Sequence, residues 1–182
     1  GKTTILKILN QVIPADAGEV HLGSRVQIGY YDQEHHVLHM EKTIFQEISD
    51  TYPTLTETEI RNMLAAFLFT GDDVFKLISS LSGGERGRVS LAKLMLSEAN
   101  FLILDEPAGG MNDQETADLM LLIKAIQKRG ITILLIEHDM NLVMRVCEKI
   151  VVLENGALIA EGTSAEIKRS PRVIEAYLGA EG

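Results

Sequence analysis

The chain has 182 residues, 46% of them hydrophobic and 24% charged, a balance that supports one globular domain with a sizeable core. Its net charge of -9 argues against free DNA or RNA as a partner, because phosphate binding needs clustered Lys and Arg. No apolar run approaches the roughly 20 residues that cross a bilayer, so any link to a membrane must go through a partner protein.

The chain opens on Gly1-Lys2-Thr3-Thr4 rather than Met, with no signal peptide, and is expected to be a fragment. Residues 3–10 predict a helix, 14–18 a turn, and 19–22 and 26–31 strands. His35, His36 and His39 follow without any cysteine nearby, which suits a solvated loop better than a zinc site. Residues 54–69 predict a helix in which Thr56 and Glu59 have the spacing of a capping box, and Gly71-Asp72-Asp73 breaks it. A helix over 84–99 precedes a short apolar strand at 101–104. An amphipathic helix over 115–129 ends at Gly130, and a buried strand follows at 131–136. A short helix at 141–147 contains Cys147, whose solitude excludes an internal disulfide and fits a reducing compartment. Strands at 150–153 and 157–160 meet at Asn155-Gly156, a hairpin turn, and helices at 164–169 and 171–178 close the chain. Apolar strands alternating with amphipathic helices imply an α/β fold, a parallel sheet covered on both faces.

Four segments carry chemistry. In Gly1-Lys2-Thr3-Thr4 a glycine lets phosphate approach the backbone and a helix start presents free N–H groups to it. Lys2 would reach the β- and γ-phosphates and the Thr3 hydroxyl would bind Mg²⁺; taken alone, the segment fits an ordinary helix N-terminus equally well. Asp105-Glu106 ends an apolar strand, where ligands of open parallel sheets sit. Asp105 would hold Mg²⁺ and Glu106 would act as general base, against the plainer reading of an acidic turn. Glu137-His138-Asp139 repeats the form, with His138 placed to contact the γ-phosphate or fix the water, or to serve structure alone. Leu81-Ser82-Gly83-Gly84-Glu85 is a second glycine-rich helix start. One nucleotide does not need two such sites, so this one points to ATP held on another domain and to two domains closing on it.

The order Gly1-Lys2-Thr3-Thr4, Gln33, Leu81-Ser82-Gly83-Gly84-Glu85, Asp105-Glu106, His138 resembles the ATP-binding cassette (ABC) superfamily. The resemblance implies a P-loop NTPase cassette, truncated at its N-terminus, with a mostly parallel sheet, helices on both faces and a helical subdomain at about residues 40–99. It implies ATP and Mg²⁺ as cofactors and ATP hydrolysis as the activity. It assigns Gly1, Lys2, Thr3 and Thr4 to the phosphate loop and Ser82, Gly83, Gly84 and Glu85 to the signature motif acting across a dimer. Gln33 becomes the glutamine near Mg²⁺ and the water, Asp105 the metal aspartate, Glu106 the catalytic glutamate and His138 the switch histidine. A second cassette is the implied partner.

Within the superfamily the resemblance divides. Residues 1–107 resemble the second cassette of an ABC-F protein, through residues 28–33, 59–62, 67–74 and 82–93. Residues 108–182 resemble the ATPase subunit of a branched-chain amino-acid importer, through 108–112, 136–144 and a C-terminal extension at about 160–182. The join falls in the shared stretch 102–107, and a chimera is expected. The importer reading implies a transmembrane permease as partner and a cytoplasmic location at the inner face of the membrane; the ABC-F reading implies the ribosome. A chromosome-organising ATPase would need long heptad arms, and no heptad run exists.

Overall fold

In the computed structural model, which describes residues 2–32 and 38–178 apart from the side chains of Thr3, Asp32 and Leu178, most long helices start at a side chain that satisfies orphan N–H groups. Helix α1 spans Lys2–Leu9 and α2 spans Ile44–Thr51, the latter started by a reciprocal Thr43–Gln46 capping box. The Thr56–Glu59 box starts α3 (Glu57–Ala66), Ser82–Glu85 starts α4 (Gly83–Leu96), and Asn112–Glu115 starts α5 (Asp113–Lys128). Asp139 caps α6 (Met140–Val146), and Thr163–Glu166 starts the short α7 (Ser164–Ile167). A last short helix, α8 (Pro171–Val173), runs on into a wider turn at Ile174–Leu178.

The strands are β1 (Ile28–Asp32), β2 (Phe101–Asp105), β3 (Thr132–Ile136), β4 (Ile150–Glu154) and β5 (Ala157–Gly162). The first three form one sheet in the order β1-β2-β3, and β4 and β5 form a separate antiparallel hairpin. β1 and β2 run parallel, with Ile28 opposite Phe101 and Asp32 opposite Asp105, so both strands end at the same level.

The chain divides into two compact units, Gln27–Leu134 and the combination of Gly1–Val26 with Leu135–Gly182. In the first, β2 contributes Leu102, Ile103 and Leu104, all fully buried, and α4 packs on β1. Helices α2 and α3 bury Ile44, Ile48, Ile60 and Leu64. In the second, Val143, Ile150, Val152, Ile167 and Val173 form the core, which joins α6, the hairpin, α7 and α8.

Several expectations shift. The helix expected over 54–69 is cut to α3 because Leu68 takes φ +66°, which an α-helix does not accommodate. The helix expected over 84–99 stops at Leu96, where Ser97 turns extended. Residues 19–22 are not a strand: Glu19, His21 and Leu22 are exposed, and no neighbouring strand pairs with them among the described residues. Helix α2 was not expected. The Asn155-Gly156 hairpin is found as expected, both residues at positive φ.

Candidate functional site

Asp105 ends β2, and the chain then turns sharply. Glu106 takes φ +47°, a left-handed conformation costly for a side chain of this kind and concentrated at functional positions. The Glu106 carbonyl accepts from the Gly109 N–H at 3.0 Å, which closes the turn. Asp105 is steered from the neighbouring strand: the Tyr30 hydroxyl on β1 donates to Asp105 Oδ2 at 3.2 Å. Parallel register sets this contact, because β1 and β2 emerge side by side.

The start of α4 is a second polar focus. Ser82 Oγ accepts the Glu85 N–H at 3.1 Å, and Glu85 Oε2 accepts the Ser82 N–H at 2.8 Å. The Ser82 hydroxyl in turn donates to Glu115 Oε1 at 2.5 Å, a residue 33 positions later on α5. Glu115 Oε2 also accepts the Asn112 N–H at 3.1 Å. The Ser82 hydroxyl foremost, then the Asn112 N–H, the Arg88 charge and the Gly84 N–H hold the Glu115 carboxyl below the ordinary carboxylate range. Gly84 leaves room for this contact: a Cβ on it would lie 2.6 Å from Glu115 Cδ, and the flexible carboxyl would have to shift. Further along the same helices Arg88 Nη1 pairs with Asp118 at 3.1 Å while its guanidinium stacks 5.2 Å from the Phe69 ring centre.

A third focus lies behind α4. Glu47 on α2 is completely buried, and it takes a hydrogen bond from Lys93 Nζ on α4. Its Oε2 also lies 3.0 Å from His39 Nδ1 and accepts the His39 N–H at 3.3 Å. An ionised carboxylate only accepts, so the His39 proton sits on Nδ1. Burial pushes the Glu47 carboxyl upward, but Lys93 and His39 outweigh it and leave the group below its ordinary value. Glu47 thereby ties α4 to the chain that follows Gln33.

In the other unit, Lys2 and Thr4 lie exposed on the first turn of α1. The His138 side chain is 68% exposed, with ring Nδ1 3.8 Å from Glu137 Oε2, and the His138 backbone N–H donates to the same oxygen at 3.1 Å. Asp139 Oδ1 accepts from the Asn141 and Leu142 N–H groups, which fixes the start of α6 immediately after His138.

The expected residues therefore fall in groups. Ser82, Gly83, Gly84, Glu85, Asp105 and Glu106 belong to one compact unit, and Lys2, Thr4 and His138 to the other. Gly1 and Gln33 lie outside the described residues, as does the Thr3 side chain. Sequence reasoning did not single out Tyr30, Glu47 or Glu115. Only Glu115 left a readable trace, the Asn-x-x-Glu spacing of a capping box.

Among solved structures the chain resembles cbiO1 from Clostridium perfringens, described as part of the ABC transporter complex cbiONQ, with a TM-score of 0.76 and 25% identity over 97% of this chain and 78% of that one. The fold is thus that of the P-loop NTPase cassettes. The family model described as ABC transporter matches residues 1–109, and the chain belongs to this family of ABC ATPases. Residues 157–182 match a second model, described as branched-chain amino acid ATP-binding cassette transporter. The Bacillus subtilis protein YdiF is 44% identical over 155 residues, which is 85% of this chain and 24% of YdiF. The high-affinity branched-chain amino acid transport ATP-binding protein BraF of Pseudomonas aeruginosa is 46% identical over 101 residues, 55% of this chain and 40% of BraF. The chain thus spans under half the length of either relative. Relatives occur in both the ABC-F and the branched-chain amino-acid groups. Members of the ABC ATPase family bind and hydrolyse ATP, and their cassettes dimerise and, in transporters, pair with permease subunits. No described helix is long and apolar enough to cross a membrane.

Proposed function

We propose that this chain is the ATP-hydrolysing part of a branched-chain amino-acid importer, working as one of two cassettes that close on ATP. The observation that carries the ATPase reading is the exit of β2, where Asp105 is oriented by Tyr30 and Glu106 is held in a left-handed turn. Such strain persists at a strand end when the side chain it aims has work there. Glu106 takes the proton of the water that attacks the γ-phosphorus, while the bond to the β–γ bridging oxygen breaks and ADP leaves. Lys2 neutralises the β- and γ-phosphates, Gly1 and Thr4 complete the loop around them, and Gln33 and His138 position the water and the γ-phosphate. Thr3, Asp105 and Gln33 offer hydroxyl, carboxylate and amide oxygens, a donor set that suits Mg²⁺, and they would hold it. When bound, Mg²⁺ screens the charge on the phosphates. Ser82 to Glu85 face the nucleotide of the second cassette.

The importer assignment rests on residues 157–182, which match the branched-chain amino-acid model. In that setting the chain works at the inner face of a membrane against a permease, and residues 160–182 form its extension. A ribosome-associated ABC-F role is the second reading, favoured by the 44% identity with YdiF along 85% of the chain together with the ABC-F relatives. The test is ATP turnover by a cassette completed upstream of Gly1, with a branched-chain amino-acid permease in membranes or with ribosomes. Stimulation by the permease supports the importer; stimulation by ribosomes alone replaces it with the ABC-F role. Turnover that neither partner changes would fit a chimera whose halves present surfaces for different partners.

A further inference from the structure

We propose that Glu115 is a built-in anion on the start of α4, which the nucleotide of a second cassette must displace before two cassettes can close. The inference rests on the proposed reading of Ser82 to Glu85 as a site for ATP held elsewhere. The Ser82 hydroxyl has one proton, and here it goes to Glu115 Oε1. While it does, it is not available to a phosphate. The Gly84 N–H also favours the ionised Glu115 carboxyl, so the same helix start faces this carboxylate at a second point. Two further donors are used locally: the Glu85 N–H goes to Ser82 Oγ and the Arg86 N–H to the Ser82 carbonyl.

The absence of a side chain at Gly84 has a specific use in this arrangement. It opens the space that the Glu115 carboxyl fills, since a Cβ there would stand 2.6 Å from Cδ. Ser82, Gly84 and Glu115 all belong to one compact unit, so the contact is formed within a single cassette. An incoming triphosphate would meet a carboxylate on the groups that should receive it. Closure therefore requires Glu115 to swing away, and the ATP concentration needed for closure reflects how firmly it is held. Its second anchor, the Asn112 N–H at 3.1 Å, keeps Glu115 at the head of α5 after it releases Ser82.

The test measures ATP-dependent dimerisation by light scattering in a cassette completed upstream of Gly1 and carrying Glu106→Gln, so that hydrolysis does not reopen it. Glu115→Gln keeps the shape and removes the charge; Glu115→Ala removes the side chain and covers the case in which the amide disturbs folding. The expected result for both is a fall of about threefold or more in the half-saturating ATP concentration, from release of a charge at a helix start in each cassette. A purely structural tie between α4 and α5 would instead lower the melting temperature and leave the half-saturating ATP unchanged or raised. That outcome, in variants that melt cooperatively, overturns the proposal. Ser82→Arg serves as the separate check: dimerisation at unaltered ATP in that variant would overturn the reading of the α4 start as the second cassette's site, whatever Glu115 does.

Discussion

Replacing Glu47 by Gln should destabilise the protein by an amount the geometry sets. The carboxylate is fully buried and serves Lys93 Nζ, His39 Nδ1 and the His39 N–H. Glutamine offers one acceptor oxygen and turns an NH₂ group toward at least one of these donors, so a charge-assisted bond becomes a donor facing a donor. Hydrogen bonds to charged groups contribute about 1.5–3 kcal/mol. Lys93 remains 22% exposed and recovers part of its hydration, so the net loss should be about 2 kcal/mol. For a chain of this size that corresponds to a fall of about 4–8 °C in melting temperature. Circular dichroism melts of both proteins at pH 7 measure it. The carboxyl lies below its ordinary value when folded, so its contribution is present above the unfolded value of about 4.3 and is lost as pH falls through the lower, folded value. The difference between wild type and variant should therefore shrink below about pH 4. A shift under about 1 °C at pH 7, or a difference that grows in acid, would refute the reasoning.

Three further outcomes are expected. Glu106→Gln should lower ATP turnover by about 10²–10⁴-fold while ATP binding persists, because a general base is lost and the fold is not; unchanged steady-state turnover would remove Glu106 from that role. Tyr30→Phe deletes the donor to Asp105 Oδ2 and should raise the Mg²⁺ concentration for half-maximal turnover by about two- to tenfold, read from a Mg²⁺ titration at saturating ATP. Asp118→Ala strands the largely buried Arg88 guanidinium, whose Nε has no hydrogen-bond partner among the described residues, and should cost about 2 kcal/mol in urea unfolding.

What the sequence made legible was whatever depends on neighbours in the chain. The Thr56–Glu59 box, the Asn155-Gly156 turn and the apolar 101–104 strand each rest on local spacing, and each appears where expected. Helix α2 escaped because it is a short segment closed by Tyr52-Pro53, although Thr43 and Gln46 carry the same box spacing as Thr56 and Glu59. Residues 19–22 mislead for the opposite reason: alternation marks a strand only when a neighbour pairs with it, and pairing is not a local property. The same limit applies to the site. Asp105 and Glu106 stand out as candidates because a strand ends in two carboxylates, a feature of neighbouring residues. Tyr30 and Glu115 act through partners 75 and 33 residues away, and no spacing rule connects such positions.

The left-handed backbone of Glu106 sets two selective pressures against each other. At φ +47° the chain would be more comfortable with Gly or Asn, so natural stability selection at this position disfavours the residue that the proposed chemistry needs. The penalty is of order 1 kcal/mol, large enough to matter over many generations when a domain is only marginally stable. A lineage that stopped hydrolysing ATP but kept the fold would be free to drift toward Gly or Asn there, and its domain would gain stability as it lost turnover. On the proposed reading, glutamate at this turn would persist where hydrolysis is still selected, and a small or amide residue there would mark a cassette that has become a binding scaffold.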